Sequence, residues 1–465
     1  MVPRKPQTSA VASGPPKAVQ GGVHLRPQPE LAAASPSSSD TDSLFPVLLL
    51  GLYLLLSTSF ASELLVVYAG VKLHIVGAVG LATLAVGLLQ GHLRRFLSTP
   101  LARPWFLLFG WYLLASVFGL YPRGSLAFIL EYGLRFHIIP IFFCAVARST
   151  KSVRRLIYMT GLGFLVILFF TWRVGELADG RLVLPETSMG NPNDLALHLL
   201  LGWSFLFMMA WTPSLPFRLL WGIITPALLY FVMKTGSRAN FLTLLLLGAC
   251  VFLAVKWPVR IALALALLVA IPVMSPLIPQ DALERIKAMP WLLEDEAPPD
   301  KELLQRAVES SQARRALQER AVELTFQNPL LGVGPLMFAD AVDIQVREKE
   351  GRKSTWQSQH NAYLQVSSET GIPGLIFYVW SLVLCLRWNY RSFRETRERR
   401  DLRVVAGQSF CLLLATVVYA FGTMFCNIAY FYYFSFLVGF SAANRLALLR
   451  EQGDGDKPNL TPAQL

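Results

Sequence analysis

The feature that most constrains this chain is the recurrence, from Phe45 to Leu449, of apolar runs separated by short polar or basic interruptions. A bilayer's hydrocarbon core is roughly 30 Å thick, and a helix needs about 20 largely apolar residues to cross it. With 54% of residues hydrophobic and only 15% charged, lipid is the expected solvent for much of the surface. The fold class that follows is all-α: a polytopic integral membrane bundle of about twelve transmembrane helices. The expected spans are 44–60, 73–91, 104–120, 125–146, 153–172, 193–211, 216–233, 239–255, 257–275, 361–386, 404–423 and 427–447.

The net charge of +12, from 42 Lys plus Arg against 30 Asp plus Glu, would raise the question of nucleic acid in a soluble protein. Topology accounts for it here, and no nucleic-acid partner is expected. With the amino terminus inside, the short inner loops carry Arg94, Arg95, Arg103, Arg148, Lys151, Arg154, Arg155, Arg218, Lys256 and Arg260. The inner loop 387–403 adds seven arginines: Arg387, Arg391, Arg394, Arg397, Arg399, Arg400 and Arg403. The short outer loops hold only Lys72, Arg123, Arg173, Arg181, Lys234 and Arg238. This asymmetry sets the expected orientation, with both termini cytoplasmic.

Residues 1–43, rich in Pro, Ser, Ala and Gln, lack an apolar run and read as a disordered cytoplasmic tail. No small-residue cleavage site follows the first apolar run, so a retained helix is expected there. Transmembrane helices 1–9 occupy 44–275, a long outer, periplasm-like loop occupies 276–359, helices 10–12 occupy 360–447, and 448–465 form a second cytoplasmic tail. The loop carries an amphipathic helical pattern from Lys301 to Phe326. A connection of that length without function is uncommon, which makes it the first place to look for chemistry or a lid. The five cysteines fall inside apolar stretches and read as small packing residues, without disulfides or a metal cluster. No repeat of fixed period and no nucleotide-binding loop or G-x-S-x-G elbow is present, and the acidic residues between Asp281 and Asp300 lack metal-ligand spacing.

Four segments carry the candidate chemistry. In K-T-G-S-R-A-N, residues 234–240, Lys234 and Arg238 stand on the side where the charge rule disfavours cations; an anionic ligand would explain them, and snorkelling to the headgroups is the alternative. In the loop helix, a stripe through Ala313, Leu317, Ala321 and Leu324 at ~100° per residue puts Arg314 about 60° from Leu317 and Arg315 roughly 160° away, so Arg314 is expected to face protein. In H-N-A-Y-L-Q-V-S-S-E-T-G-I-P-G-L, residues 360–375, His360 at the outer interface suits a general base, while Gly371, Pro373 and Gly374 suit a kink and close helix packing. Asn361 and Glu369 join it as substrate-contact candidates, although Glu369 lies half a turn out of phase with His360. In G-N-P-N-D-L-A, residues 190–196, Asn193 or Asp194 is expected to cap a helix, with a sugar contact as the alternative. Within the fourth apolar stretch, Glu131 and Arg135 are spaced to pair on one helix face, beside His137.

Taken in order, the S-R turn, the arginine helix followed by N-P-L-L-G-V-G-P, and H-N-A-Y-L with E-T-G-I-P-G-L resemble the O-antigen ligase and Wzy-type polysaccharide polymerase superfamily. The likeness is most specific from Arg314 to Leu375. It implies a metal-independent glycosyltransferase of the bacterial inner membrane. Such an enzyme takes a glycan from undecaprenyl diphosphate on the periplasmic side and passes it to an acceptor hydroxyl. By that resemblance Arg238, Arg314 and His360 are the catalytic residues, with Lys234 and Arg315 assisting in substrate binding. The position four residues after the loop arginine, often aromatic in the family, is Gln318 here. Because the leaving group already carries diphosphate, no cofactor is required in principle.

The expected partners are the lipid-linked donor, a glycan or lipid A core acceptor, membrane lipid and other polysaccharide-assembly proteins. Polymerisation of repeat units is favoured over ligation to lipid A core or protein. A flippase or transporter is the competing class, but it would place ionisable residues along a midplane path, whereas the polar candidates here cluster at the outer face.

Overall fold

The computed structural model describes residues 43–453 apart from 73, 90, 92–93, 275, 277–279, 281–283, 285–301 and 354–357. The expected amino-terminal tail, most of the carboxy-terminal tail and the acidic stretch of the long loop lie outside the described residues. Every apolar stretch named above is helical where described. The first is a bent pair, Leu44–Thr58 and Ala61–Ala69, meeting at 52° around Phe60, which takes a left-handed φ of 49°. Then come Ile75–Leu89, Ala102–Phe118, Pro122–Val146, Thr150–Val174, Pro192–Trp211, Leu215–Lys234, Arg238–Ala254, Trp257–Met274, Ala362–Thr396, Arg403–Phe425 and Tyr432–Glu451. Six of these are long and apolar enough to cross a membrane alone, seven if the bent pair counts as one span. The protein is an all-α polytopic membrane protein. A short antiparallel hairpin, Glu176–Ala178 against Arg181–Val183, supplies the only strands among the described residues.

Position in the bundle explains composition. Tyr432–Glu451 includes Ser435, Ser441, Asn444 and Arg445, too polar to face lipid, and every residue from Tyr432 to Leu449 is buried. Other helices are its solvent. Arg445 pairs with Glu395 of Ala362–Thr396, and Asn444 accepts from Gln408 at 2.7 Å, so these polar groups are matched across helix interfaces. Leu215–Lys234 is the opposite case: only 17% of its apolar window is buried, which gives it an outward, lipid-type surface. The five cysteines are free, and four of them are buried.

Pro122–Val146 contains a π-helical turn, Gly133–His137. Arg135 pairs with Glu131 at 2.8 Å as the spacing suggests, with both side chains more than half exposed. His137 is buried, flat against the Trp105 ring at 4.0 Å, and its Nε2 lies 2.8 Å from the Trp105 carbonyl oxygen. Its ring is engaged in packing between helices.

The long loop contributes Glu302–Gln327 and Phe338–Glu350, which share a small core of Ala321, Leu324, Val333, Phe338, Ala341, Val342 and Val346. One detail of the expected stripe is corrected: Ala313 is exposed, and the inward face runs through Arg314, Leu317, Ala321 and Leu324. Spacings of three, four and three keep those four residues on one side of the helix.

The segment between the two loop helices is stitched to the start of Ala362–Thr396. Val333 N donates to Ser368 O at 2.9 Å, Gly334 N to Glu369 O at 2.9 Å, and Ile372 N to Pro329 O at 2.8 Å. Trp111 anchors the same junction, its Nε1 donating to Thr370 O at 2.9 Å. Gly371, with φ 73° and ψ −178°, breaks the helix there. A side chain at Gly371 would run into the Leu330 carbonyl, and one at Gly332 would meet the Glu369 backbone. Both motifs therefore describe one docking joint, which fixes the loop helix over the membrane bundle.

Candidate active site

The turn between Leu215–Lys234 and Arg238–Ala254 sets two helix ends close together. Lys234 ends the first helix, with its ammonium 5.6 Å from the Tyr230 ring centre. Gly236 adopts φ 58°, and Ser237 caps the second helix, its Oγ accepting from Asn240 N at 3.4 Å. Arg238 is thus the first helical residue. A cation is electrostatically disfavoured there, because the macrodipole already concentrates positive charge at that end. An anion bound at the turn would relieve both.

The turn rests on the start of Pro192–Trp211. Asn193 is 4% exposed, and its Oδ1 accepts from Ser237 Oγ at 2.8 Å while its backbone carbonyl accepts from Asn240 Nδ2 at 2.9 Å. The cap of this helix is neither Asn193 nor Asp194, as the sequence suggested, but Asn191, whose Oδ1 accepts from Asn193 N at 2.9 Å. The reason is Pro192: lacking an N–H and fixed at φ near −65°, it belongs at the first helical position and leaves the cap to the residue before it, Asn191.

Asp194 follows, its carboxyl against the Cys426 thiol and within electrostatic range of Arg314. The Arg314 guanidinium, carried by the loop helix, also acts on Cys426 and on His360. One guanidinium thereby links the loop helix, the start of Pro192–Trp211, the segment before Tyr432–Glu451 and the His360 turn. Arg315 is exposed on the other side.

His360 is half-buried with φ 50°, a left-handed conformation that costs a residue with a Cβ of order 1–3 kcal/mol and clusters at functional sites. Burial, and then the positive charge of Arg314, hold its imidazole below the ordinary histidine range. The ring is therefore neutral near pH 7, with a lone pair available to take a proton.

The remaining candidates are engaged with the protein itself. Asn361 caps Ala362–Thr396, its Oδ1 accepting from Tyr363 N at 2.9 Å and Leu364 N at 3.1 Å. Glu369 is 2% exposed, and its Oε2 accepts from Leu336 N at 2.9 Å, with Gln359 and Tyr430 facing the same carboxyl. It pins the docking joint and adjoins Gln359, the residue before His360. Sequence reasoning took Ser237 only as a small residue of the turn, did not single out Asn240, read Cys426 as a packing residue and counted Arg181 only as an outer-loop cation. Among the described residues, no cluster of His, Cys, Asp and Glu is arranged to hold a metal ion.

A helical membrane bundle with a loop arginine in electrostatic range of a half-buried histidine defines a polytopic membrane protein with a polar cluster outside its apolar helices. Residues 223–379, which include Arg238, Arg314 and His360, match the family model for O-antigen ligase. The match covers about a third of the chain and supports an O-antigen ligase or Wzy-type reading of this segment. No curated protein matches the chain.

Proposed function

We propose that this protein moves a glycan from undecaprenyl diphosphate to an acceptor hydroxyl, joining repeat units of a surface or secreted polysaccharide. The observation that carries the reading is the convergence of Arg314 on neutral His360 within the O-antigen ligase segment. Arg238 and Lys234 hold the diphosphate, and Arg314 stabilises the charge that grows on it as the bond from the anomeric carbon to the phosphate oxygen breaks. The bonding electrons leave with undecaprenyl diphosphate. The acceptor oxygen forms the new bond to the anomeric carbon, and its proton passes to His360. The loop helix limits water, which would otherwise hydrolyse the activated sugar. The distribution of Lys and Arg supports an inner-membrane protein with both termini in the cytoplasm and this site facing the periplasm.

Ligation to lipid A core is the second reading, favoured by the description of the matched family. Reconstitution with an undecaprenyl-diphosphate-linked repeat unit, with and without lipid A core, separates the two. A ladder of longer lipid-linked chains identifies a polymerase, and a product formed only with core identifies a ligase. Absence of both products would sink the enzyme reading.

A further inference from the structure

The hairpin Glu176–Val183 reaches from the end of Thr150–Val174 to the basic turn, and one residue makes the connection. Arg181 donates through Nε to the Thr235 carbonyl at 2.9 Å and through Nη2 to Asn193 Oδ1 at 3.0 Å. Thr235 follows Lys234, and the same Asn193 oxygen accepts from Ser237, the residue before Arg238. The two ends of the turn are therefore held by one planar fork and one amide oxygen. Thr235, Asn193, Ser237 and Asn240 are all buried, so this brace is shielded from competing water. A guanidinium suits the task because its donors lie in fixed relative directions, which an ammonium cannot reproduce.

We propose that Arg181 is a positioning residue of the donor site: it fixes the K-T-G-S-R turn so that Lys234 and Arg238 face the diphosphate. The proposal rests on the glycan-transfer reading above. Its energetic logic is that catalysis by charged groups depends on placement before the reaction, and a displacement of about 1 Å can cost roughly 100-fold in rate. The hairpin is then part of the donor-site machinery.

The test uses the full-length reconstituted protein with a lipid-linked repeat unit as donor. Arg181→Ala is expected to raise donor KM and to lower kcat/KM by roughly 10- to 100-fold. Amide hydrogen exchange across residues 234–240 should speed up, while the rest of the bundle keeps its protection. In a double-mutant cycle with Arg238→Lys, the two losses should be less than multiplicative, because Arg181 acts through Arg238. Arg181→Lys, which keeps the charge and the fold but not the fork, should share most of the loss. A wild-type kcat/KM in Arg181→Ala, unchanged exchange in the turn, full rescue by lysine, or multiplicative losses would each overturn the proposal. Absence of any transfer product from the wild-type protein would instead count against the glycan-transfer reading, and the exchange measurement on Arg181→Ala would still decide whether the brace exists.

Discussion

Arg314, on the loop helix, stands in electrostatic range of His360, just before Ala362–Thr396, and its charge adds to burial in keeping the imidazole unprotonated. This coupling predicts a pH profile. A general base works in its neutral form, so transfer should fall as pH drops through the His360 pKa, and a depressed pKa carries the active plateau to more acidic pH. Arg314→Gln removes one of the two depressing influences. Its residual activity should therefore show an acid limb displaced to higher pH, on top of a loss of roughly 10²–10³-fold in kcat. An unmoved acid limb in the variant would mean that some other group sets the profile.

His360 itself is open to a cleaner substitution than alanine. Its left-handed backbone is tolerated by asparagine, which keeps a polar side chain but offers no base near neutral pH. His360→Asn should keep the thermal stability of the parent while lowering single-turnover transfer by roughly 10²–10⁴-fold. Transfer close to the parent's would remove His360 from the proton path.

The docking joint makes a stability prediction. Glu369→Ala takes away the buried carboxylate that accepts from the Leu336 amide in a part-buried hydrogen bond, at a cost of about 1–3 kcal/mol. Gly371→Ala places a side chain against the Leu330 carbonyl at a positive φ. Both variants should show a lower unfolding temperature in detergent and faster proteolysis between the two loop helices. A loop as resistant as the parent's would show that the joint does not hold it.

What the sequence made legible follows from the range of the forces involved. The all-α membrane class was readable because burial in lipid imposes a length and a composition on each helix separately. The choice of Arg314 over Arg315 was readable because helical phase is local. The cap was misplaced by ignoring Pro192, a local signal that was present. The Arg181 brace was not readable. Its partners are 12 and 54 residues away, no periodicity announces a three-residue strand, and an outer-loop arginine looks the same whether it meets a headgroup or an asparagine. Glu369 was misleading for a related reason: its neighbour to the motif histidine suggested substrate, whereas the chain 33 residues earlier supplies the amide it accepts from.

The phase argument also gives the sharpest discrimination between neighbours. Arg314 continues the inward stripe of Leu317, Ala321 and Leu324, and its charge reaches Asp194, Cys426 and His360. Arg315, one residue on, is rotated by about 100° and exposed. Arg314→Ala should therefore abolish measurable transfer, while Arg315→Ala should lower kcat by less than about tenfold, the scale of a peripheral contact worth under about 1.4 kcal/mol. The reverse ranking, measured on proteins of equal thermal stability, would mean that the loop helix turns when substrate binds and presents its other face to the site.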